Sequence, residues 1–156
     1  MEYHLLADRP EYIPELAAWY FAEWGKDAKG NNLEREADQL RQYLNRDQIP
    51  LSVLALDGDR LAGAAQLKYR EMKQFPEREH WLGGVYVAKE FRGKGLATKL
   101  VQEIVRSAKQ YKVKELWLQT EHLNGGLYAK LGWEPDQIVK LPTYTTLVMK
   151  KSLPFE

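Results

Sequence analysis

One stretch limits the fold of this chain more than any other: Val85 to Val105, which reads VYVAKEFRGKGLATKLVQEIV. Val85, Tyr86 and Val87 have strand character. Within a few residues the pattern changes: Leu96, Ala97, Leu100, Val101, Ile104, Val105 and Ala108 keep the i, i+3, i+4 spacing of an amphipathic helix. Lys114 to Thr120 (KELWLQT) then returns as a strand. Strand, helix, strand predicts a parallel pair with the helix crossing one face of a sheet. At the first junction the chain places two glycines and two cations, Arg92-Gly93-Lys94-Gly95.

The segments before this unit predict antiparallel pairing. Tyr3 to Ala7 reads as a short first strand, and Pro10 and Pro14 bracket a helix start. Ile13, Leu16, Ala17, Tyr20, Phe21 and Trp24 fall on one side of that helix, which Gly25 ends. Leu33 to Leu44 is a solvent-facing helix with sparse apolar positions. LSVLALD and LAGAAQLKYR flank the turn Asp57-Gly58-Asp59-Arg60, a hairpin signal. EMKQFPERE is a polar loop, and HWLGGVYVA is a strand whose Gly83-Gly84 pair marks a bulge or a close backbone approach. After KELWLQT come a short helix from Gly125 to Leu131, stopped by Gly132, and at least one more strand near Tyr144 to Lys150. The order is β, α, α, β, β, β, α, β, α, β: a mixed α/β (α+β) sheet. With no repeat or linker in 156 residues, residues 1–156 read as a single domain.

A helix N-terminus carries unpaired N–H groups and a partial positive charge, and glycine lets a ligand oxygen reach that backbone. Arg92 and Lys94 add formal charge, so the turn suits a phosphate or pyrophosphate. A tight turn at a packed crossing, with cations facing solvent, would use the same residues. A Walker A loop fails here, because no glycine stands at the required spacing and Gly95 is followed by Leu96. Gly93-Lys94-Gly95-Leu96-Ala97-Thr98 half fits a dinucleotide fingerprint, but that motif usually opens the first βαβ unit of a chain.

A third pattern, [Q/R]-x-x-G-x-[G/A], reads Arg92-Gly93-Lys94-Gly95-Leu96-Ala97. It resembles the acyl-CoA pyrophosphate loop of the GNAT superfamily of N-acetyltransferases. LGGVYVAKEFRGKG resembles that family's fourth strand and loop, and KELWLQT with LYAKLGW resembles its fifth strand, last helix and following turn. The resemblance covers essentially the whole chain. It implies a mixed, mostly antiparallel sheet of six to seven strands flanked by about four helices. It also implies acetyl-CoA as co-substrate, with no metal, and acetyl transfer to a primary amine.

Residue by residue, the resemblance assigns the pyrophosphate to the backbone of Arg92, Gly93, Lys94, Gly95, Leu96, Ala97 and Thr98. It assigns the pantetheine arm to the main chain of Val85, Tyr86 and Val87, where the fourth strand splays from the fifth. A backbone N–H there polarises the thioester carbonyl. Tyr128 matches the tyrosine that protonates the leaving thiolate. Many relatives carry an asparagine seven residues before that tyrosine; here the position is Glu121, and Asn124 suits a helix cap. For the base that takes the amine proton, Glu79-His80 leads into the fourth strand, and His80 has the intrinsic pKa for the task. Alternation turns only one of the two to a given face. For the acceptor, Glu23 and Trp24 on the first helix would box and neutralise a cationic amine.

Composition narrows the remaining classes. Net charge is +1, with none of the basic excess of a nucleic-acid binder. There is no cysteine, which excludes an acyl-cysteine intermediate and a thiolate metal site and suits a reducing compartment. No run approaches the roughly 20 apolar residues of a membrane span, and MEYHLLADRPEYIPE lacks the apolar core of a signal peptide. The reading is a cytoplasmic monomer or homodimer acting on a small-molecule or peptide amine. The rivals are a non-catalytic acyl-CoA-binding module and a dinucleotide-binding oxidoreductase fragment.

Overall fold

A computed structural model describes residues 1–154. Its seven strands form one sheet in the order β1-β2-β3-β4-β5-β7-β6. They are β1 (Glu2–Leu5), β2 (Leu51–Asp57), β3 (Arg60–Tyr69), β4 (His80–Val87), β5 (Glu115–Thr120), β6 (Glu134–Lys140) and β7 (Thr145–Ser152). Four α-helices accompany them: α1 (Ile13–Tyr20), α2 (Leu33–Arg41), α3 (Leu96–Gln110) and α4 (Gly126–Lys130). All neighbouring strands pair antiparallel except β4 and β5.

Period-two alternation in the central strands sorts side chains onto two faces. Val53, Ala65, Leu67, Leu82, Leu116 and Leu118 pack under Leu96, Leu100, Val101 and Ile104 of α3. Leu54, Leu56, Leu61 and Ala64 meet Ile13, Leu16, Ala17 and Tyr20 of α1 and Leu40 of α2 on the other face. Trp81, Trp117 and Val148 form a smaller cluster with Met72 of the β3–β4 loop.

Three elements differ from the expectations. The first strand stops at Leu5, because Leu6–Asp8 form a 3₁₀ turn that buries Leu6 completely. The first helix remains α-helical only to Tyr20, and Phe21–Gly25 widen into a π-turn. β6 is an additional strand at the sheet edge; Pro135 and a nearly all-exposed sequence hide it from period-two reading, and pairing with β7 holds it in place.

Two irregularities of β4 shape the site. Its register runs from Ala64↔Tyr86 to Gln66↔Gly83, so Gly84 and Val85 together face Ala65 in a bulge. Toward β5, only Trp81↔Trp117 pair, and beyond that point the strands diverge into a fork.

Candidate active site

The glycine turn sits at the wide end of the fork. Gly93 and Gly95 both have φ +79°, and Gly95 is the N-cap of α3 with no side-chain cap. A Cβ built on either would meet no atom within 4 Å. Neither glycine is there to relieve crowding; each supplies a left-handed backbone and leaves open space over the first N–H groups of α3. The two cations fold back onto aromatic faces. The Arg92 Nε donates to the Val87 carbonyl at 2.8 Å, and its guanidinium lies 5.5 Å from the Tyr86 ring centroid. The Lys94 ammonium lies 6.0 Å from the Phe91 ring. At exposed sites such cation–π contacts are worth about 0.5–1 kcal/mol each. Leu96 is buried, and Ala97 and Thr98 are half-buried.

The β4 backbone leaves polar groups facing the fork. The Ala88 N–H donates to Ala62 at 2.8 Å. Antiparallel alternation then turns the Val87 N–H and C=O away from β3 and toward the gap. Val85, Tyr86 and Val87 are all half-buried along this lip.

At the narrow end of the fork stands a residue that the sequence did not single out, Glu71. One carboxylate oxygen is 3.2 Å from the Lys68 ammonium, and the other accepts from Gln119 Nε2 at 3.0 Å. The group thereby spans β3 and β5 across Gly83. A Cβ on Gly83 would lie 2.6 Å from Glu71 Oε1, so the carboxylate occupies the room that this glycine leaves. Burial pulls the Lys68 pKa down, but the charges of Glu71, Tyr43 and Glu36 and the hydrogen bond to Glu71 outweigh it, and the pKa is raised. Tyr144, from the β6–β7 loop, donates to the other end of the Gln119 amide at 3.4 Å. Arg78 pins the loop that carries Glu71. Its guanidinium lies 4.1 Å from both the Phe75 and Trp117 rings and 2.9 Å from Asp136 Oδ2.

Tyr128, on α4, packs against the α3-side core and stands edge-on to Trp133, ring centroids 6.3 Å apart. Burial first and the Glu71 carboxylate second push its pKa up to about 12, so the phenol is a proton donor at neutral pH. Asn124 stands before the N-cap of α4, Gly125, and its Oδ1 accepts the Gly126 N–H at 3.0 Å.

The other sequence candidates lie at varying distances from the fork. Trp24 is 51% exposed on the π-turn and meets Tyr86 edge-on at 6.3 Å; Glu23 beside it is exposed. Trp24 borders the α1 side of the cleft through this contact. His80 meets the Tyr69 ring at a 44° tilt, centroids 5.3 Å apart, and stands 3.5 Å from exposed Glu79. Burial lowers the imidazole pKa and Arg70 adds to this, while Glu79 opposes it. His80 precedes Gly83 by three strand residues, about 10 Å along β4. Glu79 also pairs with Arg70 at 3.6 Å.

The acetyltransferase (GNAT) family model matches residues 13–133, the stretch that contains the loop, the fork and Tyr128. The chain belongs to the GNAT acetyltransferase family. N-alpha-acetyltransferase 30 of Schizosaccharomyces pombe is 33% identical over 95 residues, which is 59% of this chain and 63% of that protein. The matched segment thus falls short of two thirds of the relative's length. Among solved structures, aminoglycoside 6′-acetyltransferase type Ii superposes with a TM-score of 0.76 at 17% identity, covering 100% of both chains. The ribosomal-protein-alanine N-acetyltransferase of Brucella melitensis superposes with a TM-score of 0.73 at 24% identity, covering 98% of this chain and 100% of that one. These likenesses establish the fold. An aminoglycoside 6′-N-acetyltransferase complexed with coenzyme A also superposes, with a TM-score of 0.76 at 15% identity, covering 100% of this chain and 99% of that one. Among the described residues no cluster of metal-ligating side chains occurs, and no helix is long and apolar enough to cross a membrane.

Proposed function

We propose that this protein transfers the acetyl group of acetyl-CoA to a primary amine by direct attack in a ternary complex. One observation supports the reading: β4 and β5 part beyond Trp81–Trp117, with the uncapped N-terminus of α3 and its glycine turn at the wide end and the Glu71 carboxylate, held by Gln119, at the narrow end. The α3 N-terminus, with Arg92 to Thr98, binds the pyrophosphate through open N–H groups. The β4 lip, Val85 to Val87, pairs with the pantetheine arm, and an N–H there meets the thioester carbonyl.

The amine nitrogen attacks that carbonyl carbon, and the carbon–sulfur bond breaks. The Tyr128 phenol gives its proton to the departing thiolate, and the ammonium proton passes to Glu71. His80 was the candidate for this last role from sequence. Glu71 is the better placed, since it stands at the fork itself. The acceptor is a small-molecule or peptide amine, entering past Glu23 and Trp24. An α-amine suits the site best. Glu71 is already engaged by Lys68 and Gln119, which favours an amine that sheds its proton easily. α-Amino groups titrate near 8, against about 10.4 for a lysine side chain. The names of the yeast and Brucella relatives are in keeping with this choice.

The test is a thermal-shift titration with acetyl-CoA, free CoA and NAD, followed by thiol release with a panel of peptides and small amines. Stabilisation by both CoA species but not by NAD, with thiol release on α-amines, is the expected result. Binding without release from any amine would overturn catalysis in favour of a binding module.

A further inference from the structure

The bulge in β4 leaves one peptide unit without a place in the sheet ladder. Gly84 and Val85 share a single opposite residue, Ala65, so regular pairing does not fix the plane between them. The structure supplies a different restraint. The Tyr20 hydroxyl donates to the Gly84 carbonyl at 2.6 Å, from the last residue of α1. Tyr20 is 6% exposed. Gly84 has φ +58°, and a Cβ there would lie 2.6 Å from Gln66 Oε1 and 2.8 Å from the Tyr20 oxygen. Glycine is therefore required both by the left-handed backbone and by the approach of two polar side chains.

The Gly84 carbonyl and the Val85 N–H belong to one planar trans unit and point in opposite directions. Whatever holds the oxygen also aims the hydrogen. We propose that Tyr20 is a positioning residue for acetyl transfer: by holding the Gly84 carbonyl, its hydroxyl aims the Val85 N–H at the thioester carbonyl of bound acetyl-CoA. The inference rests on the reading that a β4 N–H polarises this carbonyl. Packing alone does not account for the hydroxyl, since phenylalanine would fill the same space among Leu16, Ala17 and Leu54. Burial, with Tyr43 and Glu36 nearby, raises the Tyr20 pKa far above the ordinary tyrosine value, so the group remains an O–H donor. The role differs from that of Tyr128, which exchanges a proton; Tyr20 acts through the backbone.

The test reads the carbonyl itself. Acetyl-CoA isotope-labelled at the thioester carbonyl is bound to wild type, Tyr20→Phe and Tyr111→Phe, and the carbonyl stretch is recorded by difference infrared spectroscopy. Tyr111 also donates its hydroxyl to a backbone carbonyl, that of Arg46 at 3.0 Å, on the exposed surface away from β4, and serves as the control for losing one tyrosine hydroxyl contact. The expected result is a band shifted to lower wavenumber in wild type and Tyr111→Phe. Tyr20→Phe should lose at least half of that shift with its acetyl-CoA affinity within about threefold of wild type. An unchanged band in Tyr20→Phe overturns the proposal. Failure of every protein to bind acetyl-CoA would instead overturn the function on which it rests. If Tyr20→Phe does not fold, wild-type amide spectra decide: acetyl-CoA must move the Val85 N–H resonance further downfield than free CoA does, and equal shifts refute the aim assigned to it.

Discussion

Gly95→Ala separates a glycine that serves a ligand from one that serves the backbone. Gly95 has φ +79° and no atom within 4 Å of a built Cβ. The substitution should therefore cost only the left-handed strain, about 1 kcal/mol, which lowers the melting point of a domain this size by about 2–4 °C. The new methyl group would enter the open space at the α3 N-terminus, which the pyrophosphate occupies in the proposed reading. Losing one or two hydrogen bonds to a charged oxygen costs about 3 kcal/mol in all, roughly 150-fold in affinity. At acetyl-CoA near 100 times the wild-type Kd, ligand stabilisation should drop from about 2.7 kcal/mol to about 0.3 kcal/mol. Gly58→Ala is the control. Gly58 also has a positive φ, +61°, and open space around it, but it lies in the β2–β3 hairpin turn. It should lose similar stability and keep the whole ligand gain. Scanning calorimetry with and without acetyl-CoA gives all six numbers. Equal ligand gains in the two variants would refute the placement of the pyrophosphate at this helix.

Tyr128→Phe should lower kcat at least tenfold while leaving the acetyl-CoA affinity unchanged; because the phenol titrates near 12, wild-type kcat should show no loss of its acid form up to about pH 11, as stopped-flow thiol release would reveal. Glu71→Gln should depress kcat/KM for the amine by roughly a hundredfold with the cofactor Kd held, whereas His80→Gln should leave both near wild type; the reverse ranking in steady-state kinetics would restore His80 as the base. Stability should be level near pH 8–9 and fall above about pH 10. The raised pKa values of Lys68, Tyr43, Tyr128 and Tyr20 mean that the folded chain holds these protons more tightly than the unfolded one, and this advantage disappears as pH rises through the folded values. His80, with its lowered value, works in the opposite direction and costs stability as pH falls below about 6.5. Thermal melts across the range would show both limbs.

Legibility in the sequence followed the range of the forces involved. α3 was plain because one amphipathic stripe packs on one sheet face, and the glycine turn because positive φ demands glycine. The Gly83-Gly84 pair signalled a bulge or close approach, and the structure contains both. The π-turn at Phe21–Gly25 was hidden, since widening a helix by one residue per turn barely disturbs the apolar spacing of Phe21 and Trp24. β6 was hidden because an exposed edge strand needs no alternation. Glu71 was the main omission. It stands in a polar loop among several charged residues, and only the closure of that loop across Gly83 toward Gln119 distinguishes it from Glu77 or Glu79. Arg78, wedged between Phe75 and Trp117, performs that closure through contacts with elements distant in sequence.

The single residue pair joining β4 to β5 has a mechanical consequence. The sheet consists of two slabs, β1 to β4 and β5 to β7 with β6, whose backbones are stitched together at one point. α3 tethers the slabs covalently, and the Glu71–Gln119 hydrogen bond is a second, side-chain stitch. A pantetheine arm lying in the fork would act as a non-peptide strand and restore the missing seam. Acetyl-CoA would then serve as a structural member as well as a reactant: each turnover, by releasing the coenzyme, would briefly reopen that seam and leave the core beneath α3 and the Trp81–Trp117 cluster to hold the two slabs together.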